Sequence, residues 1–339
     1  MAALGDWPIF PGTITWEDAQ AALDAEALGD GLPLVPPTGQ RLDTMLSGVA
    51  APDRSYGQMP PLFGDLTAAT VAYNCVLAGC PPAALPIVLT AAEACLEPAF
   101  NLLGILTTTG TPAVATIVHG SVVERLDMNT GTNCLGPGNR ANAAIGRAVA
   151  LVMRNIGGAR AGIGDMATMG QPGKYTFCVP ESREAGLPPL PARRGLASDA
   201  DAVTVLGVSG TIEVLPGDKG DTPEAILRPM AATMIAADAV AAAGRQRDRG
   251  EQFFLLPPEL AQQIAKHGWD LAHIQDFLFS ARSVDLPGLA EIGTDRPVAR
   301  GPEDIHPVVT GGAGVKMTHL PLWAGGTVSV TRPVRDLKN

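Results

Sequence analysis

The chain has 339 residues, 46% hydrophobic and 17% charged, with a formal net charge of −10. That is a globular profile, long enough for two core-bearing units. The acidic balance and the 4% aromatic content argue against a nucleic-acid platform, which needs clustered cations and stacking rings. Five cysteines, an odd count without paired zinc or disulfide spacing, point to reduced thiols and a cytoplasmic setting. The N-terminus lacks the basic and apolar regions of a signal peptide. No apolar run has the length of a membrane span, so neither membrane nor nucleic acid is an expected partner.

Thr15 and Asp18 have capping-box character and open a helix over Trp16–Leu28, stopped by Gly29-Asp30-Gly31. Prolines make 31–38 extended, and Thr38 caps a helix over Gly39–Leu46. Residues 50–64, rich in Pro and Gly, read as irregular. Two all-round apolar helices follow, Ala68–Ala78 closed by Gly79, and one from Pro81-Pro82 to about Leu96. Ala113–Val118 reads as a buried strand ended by His119-Gly120, and Val122–Leu126 as a second short strand. A polar, glycine-rich loop from Asp127 then carries Cys134 into a helix capped by Asn139 and opened by Arg140. After Gly157-Gly158 comes another glycine-rich loop, 162–174, and a strand over Tyr175–Val179. Residues 181–198, with three prolines and two glycines, read as a linker.

The second half restarts with a strand over Ala202–Val208 and an Ala-rich helix over Pro223–Ala243, capped by Thr222 and kinked at Pro229. A strand at Phe253–Leu256, a helix at Pro258–His267 and a helix from the Asp270 cap to Phe279 come next. Pro307–Val309 is a strand, Gly311–Gly314 a turn, and Thr327–Val330 a final strand. This alternation predicts an α/β fold of two lobes, 1–180 and 199–339, with a cleft between them. A faint echo between 173–180 and 314–321, each a glycine-rich loop, a Lys and a Thr before an apolar residue and Pro, would relate the lobes as a repeat; chance also produces such echoes.

The 127–147 stretch carries the chemistry. Orphan N–H groups and the macrodipole at the helix start favour an anion, with Asn133, Asn139, Arg140 and Asn142 around it. Arg140, Arg147 and Arg154 share one helix stripe; for Arg154 the preferred reading is a solvated face. The segment is not a dinucleotide fingerprint, because Gly136-Pro-Gly lacks the third glycine. Cys134 beside a helix N-terminus fits a nucleophile or redox thiol, against inert packing. His119 and His319, at strand ends, fit acid/base roles. Together with His306 they would instead form a metal set, although no metal-ligand spacing supports one. Lys174, and the nest-like turn Gly311-Gly312 with Lys316, would complete an anion pocket. Asp165 and Glu124 are the nearest carboxylates, for which surface solvation is the alternative. Cys75, Cys80, Cys95 and Cys178 read as core.

The segments Asp30-Gly-Leu-Pro-Leu-Val-Pro-Pro-Thr38, Asn74–Cys80, Gly138–Ala148, Asn155–Gly158 and Gly170–Tyr175 together resemble a family of uncharacterised bacterial proteins, over most of the chain. The first segment is similar to one near UGSC-type thiol or selenol proteins, but the chain has no U/C-G-S-C motif. The resemblance implies thiol-linked chemistry with a partner subunit and supplies no catalytic residue.

The expectation is an enzyme acting on a small anionic, carboxylate-bearing metabolite, with lyase, hydrolase and thiol-dependent redox chemistry all open and no cofactor predicted. Cys134, His119 or His319 would act, and a homo-oligomer or partner subunit is expected. The alternatives are a binding subunit for a thiol-active partner and a His-ligated metalloenzyme.

Overall fold

The computed structural model describes residues 4–183, 186–217, 220–242, 250–285 and 296–338. Helices α1 (Trp16–Ala25) and α2 (Gly39–Met45) start where Thr15 and Thr38 accept hydrogen bonds from Asp18 N and Arg41 N. The stretch expected to be irregular holds an antiparallel pair, β1 (Ser55–Met59) and β2 (Gly64–Thr67). Thr67 and Thr70 then cap α3 (Ala68–Ala78) reciprocally. The next apolar run divides: Pro82–Ala84 is a 3₁₀ turn, and α4 covers Leu85–Ala94. Helix α5 (Leu102–Thr107) precedes β3 (Ala113–His119). Val122–Arg125 is a short helix, α6, rather than a strand; its N-terminal Val122 N–H is held by Asp201.

Helix α7 (Arg140–Asn155) lies between β3 and β4 (Cys178–Pro180) in the chain, and α8 (Leu190–Arg193) leads to β5 (Ala202–Val208) and β6 (Ile212–Val214). Helix α9 (Pro223–Ala242) continues through Pro229; Ala243, the last residue expected in it, lies outside the described residues. Strand β7 (Gln252–Leu256), α10 (Pro258–Lys266), α11 (Leu271–Ser280), β8 (Ile305–Val309), β9 (Met317–Pro321) and β10 (Val330–Pro333) complete the order.

Two four-stranded mixed sheets result, ordered β10-β5-β3-β4 and β6-β9-β7-β8. In each, one parallel pair (β3 with β4, β7 with β8) adjoins two antiparallel pairings (β3–β5–β10, β7–β9–β6). The edge strands are exchanged: β6 follows β5 but joins β9, and β10 follows β9 but joins β5. The sequence echo does not match this correspondence, since 173–180 ends in β4 and 314–321 ends in β9. By position β4 corresponds to β8, and β9 to β5.

Strand alternation sorts the side chains. Val118, Val203 and Val205 face the helical layer of α3, α4 and α7. Phe254, Leu256 and Met317 face α9, α10 and α11. The opposite faces meet each other: Ala113, Ala115, Ile117 and Leu206 pack with Phe253, Leu255, Val308 and Leu320. Where a cleft was expected, a shared apolar layer joins the sheets. The expected linker is built into this assembly, with Leu187 and Leu190 buried in two different clusters. Strand β5, expected to open the second lobe, lies between β3 and β10. Among the described residues no single helix is long and apolar enough to cross a membrane.

Helix α7 approaches the start of β4 through Gly146, where an added Cβ would stand 2.5 Å from Thr176 Oγ1 and 2.7 Å from Phe177 N. A Gly→Ala change inside a helix ordinarily stabilises by up to about 1 kcal/mol. Here Gly146→Ala is expected to destabilise by about 2 kcal/mol, because the helix must lift from the sheet. Urea denaturation of the two proteins measures the sign.

Candidate functional site

The loop before α7 is held by its own side chains. Asn142, buried, donates from Nδ2 to the carbonyls of Asn129 (2.9 Å) and Cys134 (3.0 Å) and accepts from Asn129 N. Asn139 caps the helix by accepting from Asn142 N (2.9 Å), and its Nδ2 donates to Asp127 O (2.7 Å). Asn133, at φ 62°, donates to Pro137 O. A shallow polar bowl of about 520 Å³ remains over Thr130, Thr132 and Pro137, but these amides are spent on shaping it. Cys134 points into the layer between the sheets. Burial pushes its thiol pKa up, against the Thr310 hydroxyl that donates toward Sγ at 3.8 Å. The group is therefore a thiol at neutral pH, the opposite of an activated nucleophile. The Gly311–Gly312 turn does meet this loop: Gly311 N donates to Thr130 O (2.8 Å), and Gly312 lies against Thr132 where no Cβ fits. Lys316 points elsewhere, pairing with exposed Glu213 at 3.3 Å.

The three stripe arginines of α7 have different fates. Arg140 donates from Nε (3.0 Å) and NH2 (2.8 Å) to Gly79 O, capping α3 where Gly79 turns left-handed (φ 78°). Arg147 clamps both Asp30 carboxylate oxygens at 2.8 Å and the carbonyls of Leu32 and Pro33. Burial works to raise the Asp30 pKa, but Arg147 overcomes it and holds the carboxylate below its usual range. This clamp fixes the Asp-Gly-Leu-Pro segment. Arg154, at the last turn, has no hydrogen bond or ion pair among the described residues, and its Nε is buried without a partner. Burial and the neighbouring Arg160 pull its pKa down, outweighing the Asp30 carboxylate, which raises it. Arg160 Nε is equally unpartnered.

Arg154 forms part of a pocket of about 580 Å³ between α5, the start of β3, α7 and the glycine-rich loop 159–175. Lys174 is in the same wall, 2.5 Å from Asp165 Oδ2. Of the residues expected to bind an anion, Lys174 alone lines this cavity. Arg154, expected on a solvated face, lines it as well, and its place on the seven-residue stripe is the visible signal for it.

The histidines belong to buried networks. His119 Nδ1 donates to Glu181 (2.7 Å), and its Nε2 is hydrogen-bonded to the Thr204 hydroxyl (2.8 Å), which also bonds Thr331. Glu181, placed in the expected linker, accepts Leu190 N–H as well. Glu251 is 1% exposed and takes Arg194 NH2 at 2.6 Å, Ser329 N–H, and His306 at 3.2 Å. Burial works to raise its pKa, but these partners hold it down at about 2. Burial pushes His306 below its usual value, so the charge opposing Glu251 at neutral pH is Arg194. His319 faces the other side of its sheet, stacked on Phe254 (4.5 Å) with Nε2 donating to Gln252. Burial takes its pKa down to about 3. The three strand-end histidines do not converge. The donor set that does, Glu251, Asp304 and His306, is already neutralised by Arg194 and by Arg300 on Asp304. A cation placed there would face those two guanidinium groups, so the residues do not fit a metal.

No protein-family model matches the chain, and no curated protein matches it.

The arginine stripe gives a graded expectation for urea denaturation. Arg147→Met should cost about 3 kcal/mol, because it strands Asp30. Arg140→Met should cost about 1 kcal/mol, and Arg154→Met should cost nothing or stabilise slightly, because it removes a buried nitrogen without a partner. His319, Glu251 and His306 all have folded pKa values below their unfolded ones. Each therefore adds stability that is present above the unfolded pKa and is lost as pH falls toward the folded one. For His319 the window runs from 6.5 down to about 3. Tm should fall through that window, and His319→Gln should flatten the fall by up to about 1.4 kcal/mol per pH unit.

Proposed function

We propose that the protein is an enzyme acting on a small carboxylate-bearing metabolite, bound in the pocket between α7 and the loop 159–175. The observation that carries this reading is Arg154. An unpaired guanidinium in a cavity wall is costly unless something anionic completes it, and planar bidentate carboxylates suit it best. Arg160 adds a second positive charge nearby, and its Nε has no hydrogen-bond partner among the described residues. Lys174 pairs with Asp165 in the same wall, and this pair would supply proton-transfer groups within the pocket. The reaction class stays open among proton-transfer chemistries such as lyase and hydrolase steps. Duplication of one half-chain would account for the matched strand patterns of the two sheets.

A second reading, a binding subunit that serves a thiol-active partner, draws on the cysteines. All five are buried in this chain, so exposed thiol chemistry would have to come from elsewhere. The N-terminal resemblance to thiol and selenol proteins supports the same reading.

Thermal-shift measurement at pH 7 with propionate, butyrate and 3-phenylpropionate, each beside its amide, tests the anion site. The acids should raise Tm and the amides should not, and Arg154→Met should abolish the difference. Equal shifts for acids and amides would remove the proposal.

A further inference from the structure

Arg154 explains one end of the pocket, and the remaining wall has a different character. Resting on the carboxylate reading above, we propose that the ligand is a monocarboxylate with a medium-sized apolar body, an alkanoate or arylalkanoate. It would lie with its carboxylate at Arg154 and its body along the loop 162–175.

The inner wall is apolar, with Leu106, Pro112, Val114 and Leu151 facing the cavity. The mouth is apolar too, and it is uncovered. Met166, Met169 and Tyr175 line it while exposed, Met169 at 86%, and Ile163 of the same loop is 66% exposed. Large apolar side chains left in water beside an apolar cavity mark a surface that something covers. Continuity with the interior makes the same ligand the natural cover. Methionines suit the task, because their unbranched side chains repack around bodies of different shape. A volume of about 580 Å³ far exceeds what a bare carboxylate needs and falls in the usual range for small-molecule sites.

The charges narrow the class further. Both carboxylates of the lining are committed, Asp30 to Arg147 and Asp165 to Lys174. An ammonium group would meet a wall whose surplus charge is positive, so an amino acid fits less well than the corresponding simple acid.

Isothermal titration of the full chain with butyrate, hexanoate, octanoate, 3-phenylpropionate, phenylalanine and octanamide tests this. Kd should fall roughly fourfold per added methylene until the pocket is filled. The Met166→Gln/Met169→Gln double variant, changed at exposed positions, should weaken octanoate by about fivefold or more and leave butyrate alone. Equal Kd values for butyrate, octanoate and 3-phenylpropionate would overturn the apolar-body inference while leaving the anion site standing. So would an octanoate Kd unaffected by the double variant. Phenylalanine binding as tightly as 3-phenylpropionate would overturn the restriction to simple acids. If octanamide matches octanoate and Arg154→Met changes neither, the anion reading fails and this inference fails with it.

Discussion

The packing of one sheet face directly on the other governs what the rest of the chain can do. A layer of Ala113, Ala115, Ile117, Phe253, Leu255 and Val308 excludes water from between the sheets. Any polar group carried into that layer must then find its partner within the protein, at a cost of several kcal/mol if it does not. His119 meets Glu181 and Thr204, and Glu251 meets Arg194, Ser329 and His306. These histidines and carboxylates resemble catalytic sets in residue type. Their burial and mutual bonding make them braces that fix how the sheets sit on each other, with His306 Nδ1 left without a partner among the described residues.

The same constraint pushes a ligand site outward. The cavity with uncompensated charge lies on the helical side of the first sheet, where α7 ends and the glycine-rich loop 159–175 leaves it. Three arginines on one stripe sort by what stands opposite each of them. A helix C-terminus takes Arg140, a carboxylate and two carbonyls take Arg147, and open cavity remains for Arg154. Spacing placed them on a common face; only the tertiary neighbours assign their roles.

That distinction separates what was legible in the sequence from what was not. Local signals were sufficient for the caps at Thr15, Thr38, Asn139 and Asp270, because each is decided within three residues. They also carried the apolar helix α3 and the strands β3, β5 and β7. Val122–Leu126 looked like a strand because it opens on two valines, yet the Asp201 carboxylate at its N-terminus makes a helical turn the better solution. Strands β6 and β9 are short, and their pairing is set by partners far along the chain; β1 and β2 are short too, and they pair with each other inside a stretch whose prolines and glycines hide any strand pattern. The candidate site followed the same division. Lys174 was visible beside its glycines. The pull of Cys134 came from a local helix-start argument, which its burial between the sheets overrides.

The exchanged edge strands explain why a lobe boundary drawn from composition misses the architecture. Prolines and glycines in 181–198 do mark a change of direction, but the segment crosses between layers rather than between bodies. Glu181 is bonded to the first sheet, Leu187 packs with the second sheet's helices, and Arg194 reaches Glu251 at the start of β7. Strand β6 then leaves the first sheet for the second, and β10 returns from the second to the first. With the chain divided between β6 and β7, each sheet takes one edge strand from the other part, and each would expose an unpaired strand if the parts separated. Both sheets also need the shared inner layer to be buried. Reciprocal pairing and common burial act together, so the halves are expected to fold and unfold as one cooperative unit. Strand β3 is common to the braces between the sheets and to the outer pocket, since its residues 113–119 carry Val114 at the cavity wall and His119 in the buried network.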